Sequence, residues 1–103
     1  MNKKHDYTNN LRFEIQSKKQ DNGIWGTPAQ CIKIDEVFMG ISEENWLKHS
    51  AICMAIAEAY KDETFELFCT DEKGFCVKLS KSGMKTIRYD DYKLEGNILT
   101  WVG

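Results

Sequence analysis

One well-marked helical segment constrains the fold of this chain more than any other feature of its sequence. Ser42 is a good N-cap residue, and Gly40 precedes it by two positions. Glu43 and Glu44 follow Ser42 in the first turn, where the helix dipole favours negative charge. The sequence therefore predicts a helix over about 42–62.

The predicted helix has a wide apolar arc. One face carries residues at alternating steps of three and four: Trp46, His49, Cys53, Ile56 and Tyr60. Further apolar residues widen this face: Leu47, Ile52, Met54 and Ala57. Such an arc has to be covered, either by the strands and loops of the same chain or partly by a second subunit.

The remaining sequence is rich in short strand patterns that are separated by turn residues. These patterns occur at about 11–17, 31–38, 65–70, 75–80, 84–89, 92–94 and 98–102. Asn22-Gly23 and Gly96-Asn97 fit two-residue hairpin loops, because these residue types tolerate positive φ. The sequence predicts an α+β fold in which one amphipathic α-helix packs on a mainly antiparallel β-sheet of about five to seven short strands.

The predicted hairpin between the patterns at about 65–70 and 75–80 determines whether two cysteines can form a disulfide. Asp71 and Gly74 fit the first and fourth positions of a type I turn that is closed by a glycine bulge. The resulting three-residue loop pairs Cys69 with Val77. Cys69 and Cys76 then point to opposite faces of the hairpin, so we predict that both are free thiols.

Length and composition indicate one cytosolic domain. A chain of 103 residues, 42% of them hydrophobic, has the usual size of a single domain, so we predict one globular domain over 1–103. Its first residues, 1–10, are polar, and we predict that they are flexible. They do not resemble a signal peptide, which predicts a cytoplasmic location and reduced cysteines.

Charge is distributed unevenly along the chain. Residues 1–33 carry six basic and three acidic residues, and residues 73–103 carry the same numbers. Residues 34–72 carry two basic and ten acidic residues, although the net charge of the whole chain is only −2. This middle block predicts either a solvated surface or a binding surface for a basic protein.

His49 and Cys53 are the pair that most suggests catalysis. They lie four residues apart on the predicted helix, a spacing at which an imidazole can activate a thiol. Both also lie on its apolar face, where burial in the core is the simpler interpretation. We therefore predict no catalytic residue.

Metal and cofactor sites have little support. The cysteines are too widely spaced for a short zinc motif, although folding could gather Cys31, Cys69 and His49. Asp90 and Asp91 fit a turn better than a calcium loop. No glycine-rich phosphate loop occurs, and no Ser-His-Asp arrangement can be proposed. We therefore predict neither a metal nor a cofactor.

Nucleic-acid binding would need basic residues beside aromatic ones. Two groups offer this combination: Arg12, Lys18 and Lys19 near Trp25, and Lys78, Lys81, Lys85 and Arg88 with Tyr89 and Tyr92. The sequence pI of about 5.7 and the acidic middle block argue against a large basic surface. We predict that nucleic acid is not the partner.

These observations favour binding over catalysis. The first hypothesis is a small cytosolic protein-binding inhibitor, most specifically an immunity protein or antitoxin that neutralises a basic, nuclease-like toxin. A phage-encoded inhibitor of a defence nuclease would use the same physics. The predicted partner-binding residues are Trp25, Asp35, Glu36, Glu43, Glu44, Asp71, Glu72 and Tyr92.

Two alternatives belong to other functional classes. One is a small ligand-binding domain or enzyme with a pocket between helix and sheet, lined by His49, Cys53 or Tyr60. The other is a homo-oligomeric structural subunit, for example a homodimer, which the wide apolar arc of the helix suggests.

Overall fold

The structure is a computed structural model, which describes residues 28–35, 40–96 and 98–103 together with the backbone of Arg12–Glu14. The strands in this part of the chain are β1 (Arg12–Glu14), β2 (Cys31–Ile34), β3 (Phe65–Phe68), β4 (Gly74–Leu79), β5 (Gly83–Arg88), β6 (Tyr92–Glu95) and β7 (Ile98–Trp101). Helix α1 spans Glu43–Ala59, and a single 3-10 turn spans Tyr89–Asp91. The predicted α+β fold is confirmed.

The strands lie in two sheets, whereas the sequence suggested one. The first sheet is antiparallel and has the order β1-β7-β6, and the second has the order β2-β3-β4-β5. Within the second sheet β2 and β3 are parallel, and the other neighbours are antiparallel. The parallel pair follows from α1, because a helix between two strands carries the chain back to the end of the sheet where the first strand began.

Helix α1 begins as predicted but ends about one turn earlier. The Ser42 side chain accepts a hydrogen bond of 3.1 Å from the backbone N–H of Asn45, so Ser42 is the N-cap. At the other end, the side-chain amide of Gln30 donates to the carbonyls of Ala57 and Tyr60 at 3.2 and 2.9 Å. Gln30 thereby satisfies acceptors that the end of a helix leaves open.

The helix and both sheets share one apolar core. The inner face of the second sheet contributes Phe65, Leu67, Phe75, Val77, Leu79 and Ile87, and the first sheet contributes Leu99 and Trp101. On α1, Ala51, Ile52 and Ile56 are completely buried in this core, whereas Trp46, Leu47 and Met54 at other positions of the apolar arc are half-buried. Among the described residues, no helix has both the length and the apolar character that crossing a membrane requires.

The β3–β4 hairpin has a different register from the predicted one. Val77 pairs with Leu67 and not with Cys69, a shift of two residues. Because an even shift preserves the alternation of faces, the apolar side chains of both strands still point into the core. Cys69 itself leaves the strand with a φ of 56°, so the left-handed position of this turn is Cys69 and not Gly74.

Other turn predictions have different outcomes. Glu95 pairs with Ile98, which confirms a two-residue loop at Gly96-Asn97, and Gly96 has a positive φ of 61°. The predictions for residues 1–10, for the Asn22-Gly23 hairpin, and for Trp25 and Glu36 lie outside the described residues.

Candidate functional site

A long-range hydrogen bond brings two acidic segments together at one end of the protein. The side-chain amide of Asn45, in the first turn of α1, donates to the backbone carbonyl of Glu72 at 3.0 Å. Glu72 lies in the loop between β3 and β4, beside Asp71. The acidic pair Glu43 and Glu44, which opens α1, is therefore close to this loop. We call these four acidic residues, Glu43, Glu44, Asp71 and Glu72, the acidic end.

The carboxylates that open α1 are exposed, whereas Lys48, the cation paired with Glu44, is largely buried. The side chain of Glu44 is 80% exposed, whereas that of Lys48 is only 12% exposed. Lys48 Nζ lies 3.9 Å from Glu44 Oε2 and also donates to the carbonyl of Tyr89 at 3.3 Å. The Tyr89 carbonyl thus holds the Lys48 ammonium group, and the ion pair between Lys48 and Glu44 is long. The outward-facing charge at this point is negative.

An open concavity with an apolar floor adjoins the acidic end. It has a volume of about 300 Å³ and is lined by Glu43, Glu44, Leu47, Lys48 and Leu94. Leu47 and Leu94 are both half-buried, so part of each side chain faces the opening. A partner's lysine or arginine can therefore place its aliphatic stem on the leucines and its charge beside the glutamates.

Asp71 has a structural role in addition to its charge. Its Oδ1 accepts backbone hydrogen bonds from Lys73 and Gly74 at 2.8 and 3.0 Å, and its own N–H donates to the carbonyl of Gly74 at 2.9 Å. These bonds fix the shape of the β3–β4 loop. Asp71 and Glu72 are both exposed.

Asp35 is held by hydrogen bonds rather than presented to a partner. Its two carboxylate oxygens accept from the N–H and the hydroxyl of Thr70, both at 2.9 Å. This contact joins the end of β2 to the segment that leads into the β3–β4 loop. Asp35 therefore lies near the acidic end, and its carboxylate is half-buried and already bonded.

The structure does not support Tyr92 as an exposed anchor. Tyr92 is only 3% exposed, because it begins β6 directly after the 3-10 turn and points into the core. Its prediction as a partner-binding residue is corrected on this ground. Leu47 and Leu94, which are half-buried and line the concavity beside the acidic end, offer apolar contact surface instead. Trp25 and Glu36 lie outside the described residues.

His49 and Cys53 belong to the core, as predicted. Their exposed fractions are 2% and 6%, and His49 Nδ1 contacts the hydroxyl of Tyr89 at 3.1 Å instead of the thiol. Burial lowers the pKa of His49 to about 4 and raises the pKa of the Cys53 thiol. An inaccessible thiol with a raised pKa is a poor nucleophile, so this pair is not a catalytic site.

The group near Trp25 that was considered for nucleic-acid binding lies outside the described residues. Tyr89 and Tyr92 are both buried, so neither can stack on the bases of a nucleic acid beside Lys78 or Arg88. Among the described residues, no three histidine, cysteine or acidic side chains are grouped so that they could hold a metal ion.

The residue that assembles the acidic end, Asn45, was missed by the sequence reasoning. Asn45 occupies the third position of α1, where glutamate or glutamine would complete a capping box with Ser42. An asparagine at this position leaves the capping box incomplete, and nothing in the sequence indicates its partner, which is 27 residues away. Comparison with protein-family models, with curated proteins and with solved structures finds no match.

Proposed function

We propose that this protein is a small cytosolic inhibitor that acts by binding a basic protein, without catalysis of its own. The most specific form of the proposal is an immunity protein or antitoxin that neutralises a nuclease-like toxin. An inhibitor that a phage directs against a defence nuclease would bind its basic target through the same acidic surface. The acidic end is the proposed binding surface.

The hydrogen bond between Asn45 and Glu72 is the observation that carries the proposal. In the sequence, Glu43 and Glu44 are separated from Asp71 and Glu72 by the whole helix and by β3. A negative patch speeds the association of a positively charged partner, because the summed field acts before contact is made. The hydrogen bond concentrates this field at one end of the protein.

The basic active site of a nuclease suits this surface. Such enzymes bind the phosphate backbone with lysine and arginine residues, and exposed carboxylates can occupy the same cationic groove. The concavity beside Glu43 and Glu44 adds an apolar floor, Leu47 and Leu94, on which a partner's side chain can be buried. Buried apolar contact with a charged rim is the usual arrangement of a specific protein interface.

A charge-neutralisation pair tests the proposal. The full chain, immobilised, captures binding proteins from lysate of its source at low and at high salt, and mass spectrometry identifies what is bound in stoichiometric amount. The test variant carries Glu43→Gln and Glu72→Gln. The matched control carries Glu58→Gln and Asp62→Asn, two exposed positions at and just beyond the other end of α1. Glu43 and Glu58 are about 22 Å apart along the helix axis.

The two variants have the same net charge, so they separate a local site from a general electrostatic effect. We expect to capture a basic protein whose association rate falls as the salt concentration rises. The test variant should lower this rate about tenfold, whereas the control variant should leave it near the wild-type value. Equal rates for the two variants would show that the acidic end is not the binding surface. A captured protein without a basic surface would contradict the proposal as a whole.

A further inference from the structure

A second concavity is lined by two of the four cysteines. It has a volume of about 240 Å³, is open to solvent and lies where the β3–β4 loop meets β5. Cys69 and Cys76 both line it, together with the cationic residues Lys73 and Arg88 and the acidic residue Asp71. The cavity therefore combines two free thiols with an excess of one positive charge.

The other two thiols are in different surroundings. Cys53 is buried in the core, and this burial raises its pKa. Cys31 is half-buried, its Sγ lies 3.6 Å from the carbonyl oxygen of Lys33, and burial raises its pKa as well. Both thiols are therefore held in the protonated form, which does not attack disulfides.

The backbone of Cys69 explains why this residue lines the same cavity as Cys76. Cys76 pairs with Phe68, the residue before Cys69. In regular antiparallel strands the Cα atoms of such diagonal neighbours are about 6 Å apart, within the range that a disulfide spans. In a regular strand Cys69 would point to the face opposite Cys76. Its φ of 56° breaks that alternation, and both residues line the same cavity.

We propose that Cys69 and Cys76 are a redox-active dithiol pair that is oxidised by small anionic disulfides. The Cys69 thiolate attacks one sulfur of the small disulfide, a Cys69–S bond forms, the original S–S bond breaks, and the departing half takes up a proton as a thiol. The Cys76 thiolate then attacks Cys69 Sγ and releases the second half as another thiol. The protein loses two electrons, and the small disulfide gains them.

The cations of the cavity determine which disulfides react fastest. Lys73 and Arg88 attract the carboxylates of an anionic disulfide toward the thiols, whereas Asp71 in the cavity and Glu72 in the same loop oppose this attraction. The new bond would close a short ring around the loop that carries Asp71 and Glu72. Oxidation would thereby fix the shape of the acidic end. This last consequence rests on the proposed function, whereas the thiol chemistry does not.

Thiol–disulfide exchange on the full chain tests the pair. The reduced protein is incubated with oxidised glutathione, quenched with acid and analysed by peptide mass spectrometry. We expect a Cys69–Cys76 disulfide in the wild type, a glutathione adduct on Cys69 that persists in Cys76→Ser, and no such bond in Cys69→Ser. The control Cys31→Ser should behave as wild type. Absence of the bond in the wild type, or adducts that form as fast on Cys31, would overturn the proposal.

A second measurement tests the cations. The variant with Lys73→Gln and Arg88→Gln should react with oxidised glutathione about tenfold more slowly than the wild type, and at an unchanged rate with the uncharged 2-hydroxyethyl disulfide. An equal change with both reagents would overturn the role of charge. Because neither experiment involves a protein partner, failure here is distinct from failure of the proposed inhibitor function.

Discussion

His49 and Tyr89 meet in the core, where His49 Nδ1 lies 3.1 Å from the Tyr89 hydroxyl oxygen. Trp46 stacks on the imidazole with ring centroids 5.3 Å apart, and Phe75 meets it edge-on at 4.7 Å. The remaining ring nitrogen, Nε2, is buried without a hydrogen-bond partner among the described residues. An imidazole in these surroundings is stable in the neutral form, because a charge here would lose its hydration.

Acid should therefore destabilise the protein through His49. Its pKa is about 4 in the folded protein, mainly because of burial and despite the opposing effect of Asp35, and about 6.5 in the unfolded chain. The unfolded chain binds the proton first, so the free energy of unfolding falls as the pH drops from about 6.5 to about 4. The loss is at most about 3 kcal/mol. Urea unfolding at a series of pH values measures it.

The variant His49→Phe is the control for this pH dependence. Phenylalanine keeps the ring contacts with Trp46 and Phe75 but does not titrate. It leaves the Tyr89 hydroxyl without its imidazole partner, which costs about 1–2 kcal/mol at every pH. We expect the free energy of unfolding of this variant to fall less steeply than that of the wild type over the same pH range. Parallel curves would show that carboxylates, and not His49, cause the acid sensitivity.

Replacing Cys69 with glycine should stabilise the reduced protein. Cys69 has a φ of 56°, a conformation that costs a residue with a Cβ atom about 1 kcal/mol or more. Glycine adopts it without that cost but loses more backbone entropy on folding, so the expected gain is about 0.5–1 kcal/mol. Cys69→Val, which is β-branched, should destabilise. Urea midpoints under reducing conditions check both, and a stabilising valine would contradict the strained backbone.

The parts of the fold that the sequence predicted depend on neighbours along the chain. Ser42 was assigned as the N-cap because its hydrogen-bond partner, Asn45, is three residues away. The end of α1 was misplaced because its cap, Gln30, comes from the segment before β2. The predicted β3–β4 register was wrong because it placed the positive φ of the turn at Gly74, whereas the residue with positive φ is Cys69.

Gly74 is required for a different reason, which a pair of alanine substitutions can show. A Cβ atom at Gly74 would collide with the backbone carbonyl oxygen of Ile87 on β5, whereas a Cβ at Gly83 would meet open space. Gly83 instead has a positive φ of 87°. Gly83→Ala should cost about 1 kcal/mol, and Gly74→Ala should cost more, about 3 kcal/mol, because backbone has to move. Equal costs in thermal unfolding would contradict the close approach of β4 and β5.

The candidate site was predictable in composition but not in arrangement. The acidic middle block gave the number and sign of the charges, and Glu43, Glu44, Asp71 and Glu72 were all named from it. Their proximity depends on a bond between Asn45 and a backbone carbonyl, and no pattern of residue types reports such a contact. Tyr92 was misassigned because an aromatic residue beside a turn has the same local sequence whether it points inward or outward.

The carboxylate of Glu63 fixes the turn between β4 and β5. It accepts hydrogen bonds from the N–H groups of Lys81 and Ser82 at 2.7 and 2.9 Å, and from the Ser82 hydroxyl at 2.6 Å. The Ser82 hydroxyl, followed by the backbone N–H groups, lowers the pKa of Glu63 below its ordinary value of 4.5. The ionised form therefore stabilises the folded protein.

The sign of this effect determines how Glu63→Gln should behave. The contribution of Glu63 is fully present above the pKa of the unfolded chain and is lost as the pH falls through the lower pKa of the folded protein. The variant should be less stable than the wild type at neutral pH, and the difference should shrink below about pH 4.5. Glu58→Gln, exposed on α1, is the control and should have a small effect. A difference that stays constant down to acid pH would mean that Glu63 acts through its shape rather than through its charge.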